Sequence, residues 1–453
     1  MKRTKVIIIF FLLIAAIIFL RIKRPRPPNI IFITIDTLRA DHVGCYGYKR
    51  QITPNIDRLA KEGVYFKNCF ATSSTTAFAS VGLLTGRYLM VYKSDESGGF
   101  LDKKYSVLGE YLDKLGYFNA AFLNNPHYYY HTGFERGFRA YKNFIGGAEV
   151  TTNEVIGFLK DYSSKKPFFL WVHYIDPHDL ELASEDYLKY FENDSLYKQN
   201  DELVKPQLDS LAHREVSKGY MPKMSFRQGR YNLNYYIALY DAQILFTDYH
   251  IGRLLGNIKD KNTLIVLTAD HGQSLGEHGI YLSHGESIYD EVLRVPLVIK
   301  DNRYFKGGKE ILTAVSSLDI VPTILGRVSP ISYFFNKNKF NGVNLKKALN
   351  KKDIKRKYIY FYFPTAWGVR DTHKNFKYIL NLNYKEEFYL LPDENNNLID
   401  NNTPDILSLK QKLENALLAW LRKYPIRSDT NSMKSLLLDE KVKNSLKSLG
   451  YIE

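Results

Sequence analysis

The sequence predicts an α/β protein with a large buried sheet, followed by a smaller second unit. Three runs dense in β-branched and aromatic residues show no polar alternation: 29–35 (NIIFITI), 168–173 (FFLWVH) and 263–268 (TLIVLT). Such runs are typical of strands that are buried on both faces of a parallel sheet. Helix-like segments lie between them, at 55–62 and 238–255. This alternation predicts an active site at the carboxyl ends of the strands.

The N-terminal residues predict a membrane anchor. Residues 6–20 are fifteen consecutive apolar side chains, which Ile22 and snorkelling Arg and Lys side chains extend toward bilayer length. A secretory signal peptide is the main alternative, but no small-x-small cleavage site follows. We therefore expect an uncleaved anchor within residues 1–24, contacting the membrane through 6–22. Positive residues flank both ends of the segment, so they do not set its orientation.

Composition excludes several classes of protein. The 453 residues are 45% hydrophobic and 25% charged, which is typical of a globular chain with room for two domains. The net charge of +15 is spread thinly, so we expect no nucleic-acid partner. Its clearest clusters, 21–26 and 351–357, fit a solvated basic face or a surface toward anionic lipids or polymers. Two cysteines, Cys45 and Cys69, exclude a disulfide framework and a cysteine metal cluster.

The remaining segments define the predicted domains. Residues 25–28 are a stiff, Pro-rich spacer ahead of a catalytic domain at 29–330. Within that domain, the charged, Tyr-rich stretch 182–232 is predicted to be an insertion that could cover the active site. A second domain at 355–425 combines strand-like runs at 358–363 and 376–382 with an amphipathic helix at 406–424, and 426–453 form a tail.

Acidic and imidazole groups stand where the buried strands end. Asp36 follows the first run, His173 ends the middle one, and Asp270 and His271 follow the third, while His178 comes shortly after the middle strand. A single Asp at such a place is commonly a helix cap, and a single His a satisfied polar residue. As a set on three strand ends, two carboxylates and an imidazole predict a divalent metal site.

Ordered motifs make the chain resemble the sulfatase branch of the alkaline phosphatase superfamily. The opening block is NIIFITIDTLRADHVGCYGY, followed by TPNIDRLAKEGVYFKNCFA and LLTGRY. Later blocks are FFLWVHYIDPH, LYDAQILFTDYHIGRLL, LTADHGQSLGEHG, YDEVLRVPLVIK and KNFKYILNLNYKEEFYLL, and the chain closes on LKSLGYIE. The resemblance covers residues 29–453 apart from the insertion at 182–232, and several motifs in order are far more specific than one short pattern.

This resemblance implies a large mixed-sheet alkaline-phosphatase/sulfatase-like domain with a small C-terminal α+β subdomain. It implies hydrolysis or transfer at a sulfate or phosphate ester, with Asp36, Asp270, His271 and Thr76 holding one divalent ion. The imidazole favours Mn²⁺ or Zn²⁺ over Ca²⁺, and Mg²⁺ also stays open. His178 and His284 would meet the substrate oxygens or the leaving group.

The family also implies the setting of the reaction. The substrate would be an anionic ester on a glycan, a lipid or a cell-envelope polymer. The catalytic domain would lie outside the cytoplasm, held there by the membrane anchor.

The nucleophile position carries threonine. Sulfatases place a Cys or Ser, oxidised to formylglycine, seven residues ahead of the first Leu of LLTGR; here that Leu is Leu83 and the position is Thr76. We therefore expect no formylglycine. Cys69 is the alternative, but it lies twice as far from Leu83 and lacks the Arg of the motif. Threonine has a single hydroxyl and cannot expel sulfate as a geminal diol does, yet it can form a phosphothreonine.

Other positions depart from the family pattern. Thr37 replaces the second Asp of the usual pair, Ser80 replaces the motif Arg, and Asn124-Asn125-Pro126-His127 stands where many sulfatases carry Lys-x-His. Losing the motif Arg and the Lys of Lys-x-His weakens the stabilisation of charge on the transferring group. The metal, His178, His284 and Arg39 or Arg87 would have to compensate, although Arg87 fits a structural role in the turn after Gly86.

Three functions follow from these observations. The leading hypothesis is a metal-dependent phosphoester hydrolase or transferase with Thr76 as nucleophile. The second is a sulfuric ester hydrolase that works without formylglycine. The third is a catalytically silent protein that binds anionic glycans or lipids, which the lost cations favour and the retained metal set opposes.

Overall fold

A computed structural model gathers the predicted strands into one large sheet. The structure describes residues 26–88, 101–128, 132–144, 146–178, 185–192, 203–206, 219–222, 225–350, 354, 356–363, 365–381 and 385–424. The strands of the large sheet are β1 (Asn29–Ile35), β2 (Val64–Phe66), β3 (Phe118–Leu123), β4 (Ala140–Asn143), β5 (Phe168–Tyr174), β6 (Thr263–Ala269), β7 (Leu297–Lys300) and β8 (Lys309–Ile311).

The sheet is mixed. Its strand order is β8-β2-β7-β6-β1-β5-β3-β4, and among these eight strands β7 alone runs antiparallel to its neighbours. Every residue of β1, β5 and β6 is buried, as their unbroken apolar sequences predict. In the parallel register Ile35 lies beside both Tyr174 and Ala269, so the carboxyl ends of the three central strands meet at one point.

Helices cover this sheet. They are α1 (Pro54–Glu62), α2 (Thr76–Thr85), α3 (Leu108–Lys114), α4 (Gly147–Asp161), α5 (Glu185–Glu192), α6 (Leu233–Gly256), α7 (Asp290–Leu293), α8 (Ile320–Val328), α9 (Pro330–Asn336) and α10 (Pro404–Lys423). Helices α1, α4 and α5 pack against the long α6, whereas α2, α3 and α8 pack against one another. The sheet is thus covered by two groups of helices.

Shorter strands complete the large domain. Cys69–Phe70 lies between Arg294–Val295 and Val315–Ser316, and Ser274–Leu275 pairs with Tyr281–Ser283. These short pairings hold the segments that precede Thr76 and His284.

The second unit is an antiparallel sheet with one helix. Its strands β9 (Tyr358–Phe363), β10 (Ala366–Asp371), β11 (Phe376–Asn381) and β12 (Glu386–Leu390) pair in chain order. Helix α10 packs on β10 and β11 through Leu413, Leu417, Trp420 and Leu421, which are all buried. The predicted α/β fold class with a small C-terminal α+β unit is confirmed.

Differences from the predicted elements lie at their ends. Helix α6 begins at Leu233 rather than 238, because the side chain of Asn232 accepts a hydrogen bond from the backbone N–H of Asn234 and caps the helix. A polar cap such as Asn232 does not appear in the apolar periodicity from which the helix was predicted. The periodicity therefore underestimates the length of the helix.

A buried ion cluster joins the two units. Lys377 on β11 has no exposed surface, and its Nζ lies 2.9 Å from Asp290 Oδ1 on α7 and 2.7 Å from Glu394 Oε1. Arg370 on β10 donates to the other Asp290 oxygen at 2.6 Å. Because a buried charge is costly unless it is paired, this cluster specifies how the small sheet docks on the large domain.

Glu291, next to this cluster, should make stability depend on pH. Its side chain is 7% exposed; burial, with the charges of Glu394 and Glu277, raises its pKa to about 8. The unfolded pKa of a glutamate is about 4.3, and below that pH the contribution of Glu291 to the unfolding free energy is fully present. This contribution is lost as pH rises through the folded pKa of about 8. Glu291→Gln should therefore flatten the fall in unfolding free energy between pH 5 and 8, measured by urea denaturation. The exposed Glu310→Gln is the control, and an unchanged slope in Glu291→Gln would contradict this role.

Several sequence predictions lie outside the described residues. These are the N-terminal anchor, the tail at 426–453 and much of the insertion. All three stay predictions, because the structure does not describe the residues concerned. The described parts of the insertion include α5, which packs on α6, and the Gly219 N–H, which donates to Gly279 O at 2.8 Å. Within the described parts of the chain, none of the helices combines the length and the apolar character that crossing a membrane requires.

Candidate active site

The carboxyl ends of β1 and β6 bring three of the predicted ligands together. Asp36 follows β1, and Asp270 and His271 follow β6, the neighbouring strand. Each offers one ligand atom, and these atoms lie within 4.8 Å of one another in a fully buried position. His271 Nε2 is 3.8 Å from Asp36 Oδ1 and 3.7 Å from Asp270 Oδ2.

Each carboxylate has one anchored oxygen and one without a partner. Asp270 Oδ1 accepts hydrogen bonds from the backbone N–H groups of His271 (2.8 Å) and Thr37 (3.3 Å), and Asp36 Oδ2 accepts one from Asn125 Nδ2 at 2.5 Å. The other two oxygens, Asp270 Oδ2 and Asp36 Oδ1, are buried and have no hydrogen-bond partner. Buried polar atoms are nearly always satisfied, so this pair of oxygens fits the ligand set of a cation.

The electrostatics of the carboxylate pair also fit a cation. Burial raises the pKa of Asp270 well above its usual range, and the charge of Asp36 raises it further. Burial would raise the pKa of Asp36 as well, but the nearby imidazoles of His173, His178 and His271 lower it below the usual range. Without a cation, the lowered pKa of Asp36 and the raised pKa of Asp270 leave the negative charge mainly on Asp36. A divalent ion would stabilise both carboxylates as anions.

His271 is held in the tautomer that a metal ligand needs. Its Nδ1 lies 2.9 Å from the carbonyl oxygen of Gly272, which can only accept, so Nδ1 carries the proton and Nε2 offers a lone pair. Burial lowers the pKa of His271, which keeps the ring neutral. A Cβ at Gly272 would lie 2.1 Å from the carbonyl oxygen of Glu291, so glycine is required for this close approach.

Thr76 lies beside this ligand set. It is the first residue of α2, is 2% exposed, and its Oγ1 is 3.2 Å from His271 Nε2. The first backbone N–H groups of a helix have no partner within the helix, and the helix dipole adds positive potential there. The Thr76 hydroxyl therefore sits where an attacking oxygen would be stabilised as an anion and where an anionic group would be attracted.

Neutral groups fill the three positions at which the chain departs from the family pattern. Ser80 Oγ is 2.6 Å from the hydroxyl of Tyr128, a fully buried residue whose ring packs edge-on against His173. Asn125, where Lys-x-His would begin, is instead the hydrogen-bond donor to Asp36. Thr37 adopts a left-handed backbone (φ 54°), and its hydroxyl is buried without a partner. The motifs marked Asn125 only as a departure from Lys-x-His and not as a partner of Asp36, and they did not point to Tyr128 at all, because neither residue is a typical ligand or nucleophile.

His173 lies behind the ligands rather than among them. Its Nδ1 is 2.8 Å from Thr34 Oγ1, and its Nε2 is 3.5 Å from Asp36 Oδ2. This imidazole, which ends the middle strand, therefore orients Asp36.

His178 and His284 form a pair at the mouth of the site. Their Nε2 atoms are 3.1 Å apart, and the rings of His284 and His271 have centroids 4.4 Å apart. His284 Nδ1 lies 3.2 Å from the carbonyl oxygen of Ser74, so it carries a proton and its Nε2 accepts. Burial and the imidazoles of His271 and His178 hold the pKa of His284 well below its usual range. His178, whose ring is exposed, is consequently the proton donor of the pair.

The predicted substitutes for the lost cations are engaged elsewhere. The Arg39 guanidinium pairs with Asp41 (2.8 Å) and Glu277 (2.8 Å) and donates to Gln273 O at 3.1 Å. Arg87 lies 5.5 Å from the ring centroid of Tyr105, in the turn that Gly86 makes with φ 67°.

The alternative nucleophile Cys69 is buried in a short strand. Burial raises the pKa of its thiol, and the thiol forms no disulfide. Cys69 therefore lacks both the access and the thiolate character that a nucleophile needs.

Comparisons with known proteins place this geometry in context. The sequence model of the Sulfatase family matches residues 28–330. The chain is similar to an uncharacterised sulfatase, YidJ, of Escherichia coli K12, with 26% identity over 89% of each chain. It is also similar to an N-acetylglucosamine-6-O-sulfatase of Bacteroides thetaiotaomicron, with 24% identity over 67% of this chain and 68% of that protein. Among solved structures, a phosphonate monoester hydrolase of Agrobacterium radiobacter superposes with a TM-score of 0.68 at 19% identity, over 87% of this chain and 96% of that one.

Proposed function

The chain belongs to the sulfatase family, and from this membership we propose that it is a metal-dependent hydrolase or transferase of phosphate esters with Thr76 as its nucleophile. The observation that carries the proposal is the hydroxyl of Thr76, 3.2 Å from His271 Nε2 and next to two unpartnered carboxylate oxygens. The sulfatase relatives support ester hydrolysis on this scaffold. The phosphonate monoester hydrolase supports chemistry at phosphorus on the same fold.

The residues that would hold a metal ion are Asp36, Asp270, His271 and Thr76. Mixed oxygen and imidazole ligands suit Mn²⁺ or Zn²⁺. When bound, such an ion supplies positive charge that favours the ionised hydroxyl and neutralises the oxygens of the transferring group.

Thr76 would act by covalent catalysis. Its hydroxyl loses a proton to solvent, and Oγ1 forms a bond to phosphorus as the bond from phosphorus to the leaving oxygen breaks. Water, or an acceptor alcohol, then attacks phosphorus and restores the hydroxyl. A sulfate ester on threonine has no second hydroxyl with which to expel sulfate, so the single hydroxyl favours the phosphoryl reaction.

The imidazole pair would protonate the leaving oxygen. His178 would act as the imidazolium: its Nε2, which in the structure lies 3.1 Å from His284 Nε2, would turn toward the substrate and give its proton to the leaving oxygen. Both histidines stand where the substrate enters, since His178 is exposed and His284 is partly exposed.

Removing this proton donor should affect poor leaving groups most. His178→Ala should lower kcat/KM on alkyl phosphates by about 10²–10⁴-fold, because general acid catalysis contributes that much. On 4-nitrophenyl phosphate, whose leaving group needs no proton, the loss should stay within about tenfold. The measurement is a series of esters plotted against leaving-group pKa, with the exposed His373→Ala as control. Equal losses across the series would exclude the acid role.

A side-by-side assay tests the proposed function. The full-length protein, loaded with Mn²⁺ or Zn²⁺, should hydrolyse aryl phosphates or phosphodiesters at least about tenfold faster than aryl sulfates, because Thr76 lacks the diol exit route. Faster turnover of the sulfate would instead favour a sulfuric ester hydrolase. Bound metal without turnover of any ester would favour a binding protein.

A further inference from the structure

Three large apolar side chains stand exposed together on helix α9. Ile331, Phe334 and Phe335 are 55%, 60% and 75% exposed. Tyr333 on the same helix is partly buried against the core, and α9 packs on α8. Lys337 follows at once, with its Nζ 4.5 Å from the centroid of the Phe334 ring. Exposed aromatic side chains beside lysine are the composition of segments that lie at a membrane surface.

Contacts link this helix to the point where the chain enters the fold. The carbonyl oxygen of Arg26 accepts a hydrogen bond from Asn262 Nδ2 at 2.9 Å, and Asn302 Nδ2 is 3.5 Å from Asn262 Oδ1. Arg327, three residues before α9 begins, donates to Asn302 at 3.4 Å. The entry point and the junction of α8 and α9 therefore share the end of the sheet where β1 and β6 begin, opposite the candidate active site.

The same end of the sheet is strongly basic. The loops that precede the parallel strands β3, β5 and β6, and the loop between β7 and β8, all lie there. Together with the adjoining ends of α3 and β8, they carry these exposed cations: Lys114, Lys165, Lys166, Lys259, Lys261, Arg303, Lys306 and Lys309. The acids there are fewer: Glu62, Asp161 and Glu310 are exposed, whereas Asp113 and Asp260 are partly buried and accept from Arg139 and Asn29, each at 3.1 Å. Such an excess of cations favours an anionic lipid surface.

We propose that this end of the molecule, defined by Ile331, Phe334, Phe335 and the surrounding cations, docks on an anionic lipid bilayer. The proposal rests on the sequence prediction that residues 6–20 lie in that bilayer, and it is independent of the proposed reaction. Only residues 21–25 separate the apolar segment from Arg26, and five extended residues span at most about 17 Å. The tether therefore keeps this end close to the bilayer, and the active site opens away from it.

Site-directed spin labelling of the full chain tests the docking. The chain is reconstituted in phosphatidylcholine vesicles containing phosphatidylglycerol, with the partly exposed Cys45 replaced by serine so that one nitroxide is attached at Phe335→Cys. Immersion should make this label more accessible to oxygen than to an aqueous nickel chelate. A label at Tyr190→Cys, a 67% exposed residue on α5 beyond the carboxyl end of β5, is the control and should show the reverse.

Each other outcome would overturn the proposal. If the nickel chelate reaches the label at position 335 as readily as the label at position 190, the surface around α9 is free in solution. A label shielded from both reagents and broadened by a second nitroxide would show contact with a second copy of the chain.

Charge reversal tests the anionic lipid. Lys261→Glu combined with Lys306→Glu should lower the immersed fraction at least severalfold, whereas Lys205→Glu, an exposed lysine near the active-site end, should leave it unchanged. If the immersed fraction stays unchanged both after this charge reversal and after phosphatidylglycerol is left out of the vesicles, the assignment of an anionic partner is overturned.

Discussion

Replacing Thr76 with alanine is expected to lower kcat on aryl phosphates by about 10⁴-fold or more, since removal of a catalytic nucleophile has effects of that size. The side chain is buried at the N-terminus of α2, with its hydroxyl 3.2 Å from His271 Nε2. Alanine fits the same space, so the fold should be preserved, and Asp36, Asp270 and His271 should still hold the metal ion. The measurement is steady-state turnover together with metal analysis of the same sample.

Thr85→Ala provides a matched control for Thr76→Ala. Thr85 lies on the same helix and is buried, but its hydroxyl donates to the Val81 carbonyl at 2.6 Å and is not part of the site. Its replacement should cost stability without a comparable loss of kcat. Turnover in Thr76→Ala that matched the wild type would remove Thr76 from the reaction.

Replacing Asp270 with asparagine should abolish metal binding and lower activity by about 10³-fold or more. Metal added at a hundred times its Kd should stabilise the wild type by about 2.7 kcal/mol, and the variant should show no such gain. In EDTA, where no metal is bound, Asp270→Asn should have a higher unfolding free energy than the wild type. Because the folded pKa of Asp270 is raised, the wild type loses unfolding free energy as pH rises above about 3.9, and asparagine avoids that loss.

Thermal unfolding with and without metal measures both effects of the Asp270 variant. Asp113→Asn, a partly exposed carboxylate paired with Arg139 at 3.1 Å, is the control and should keep the metal-dependent shift. Metal-induced stabilisation of Asp270→Asn equal to that of the wild type would place the ion elsewhere.

Much of the fold could be predicted because its signals are local. The unbroken apolar runs of β1, β5 and β6 require burial on both faces, and a parallel sheet between helices provides it. The antiparallel direction of β7 and the ion cluster around Lys377 could not be predicted in this way. Both depend on contacts between residues far apart in sequence, such as Lys377 with Asp290.

The candidate site was predictable where it follows strand ends. Asp36, Asp270 and His271 meet because β1 and β6 are neighbours in register. Asn125 and Tyr128 were not predictable as contributors, because their roles come from tertiary contacts with Asp36 and Ser80. From its position after β1, Arg39 could be expected to replace a lost cation. The fold instead pairs its guanidinium with Asp41 and Glu277, and the pairing with Glu277 depends on a contact between residues far apart in sequence.

Intact-protein mass spectrometry after brief incubation with an aryl phosphate tests whether Thr76 is the nucleophile. We expect a phosphate adduct that maps to Thr76, forms in the wild type and in Thr85→Ala, and is absent from Thr76→Ala. His178→Ala should still form the adduct from 4-nitrophenyl phosphate, because that leaving group needs no proton donor. Turnover of the ester with no adduct at any time, or with an adduct at another residue, would show that Thr76 is not the nucleophile.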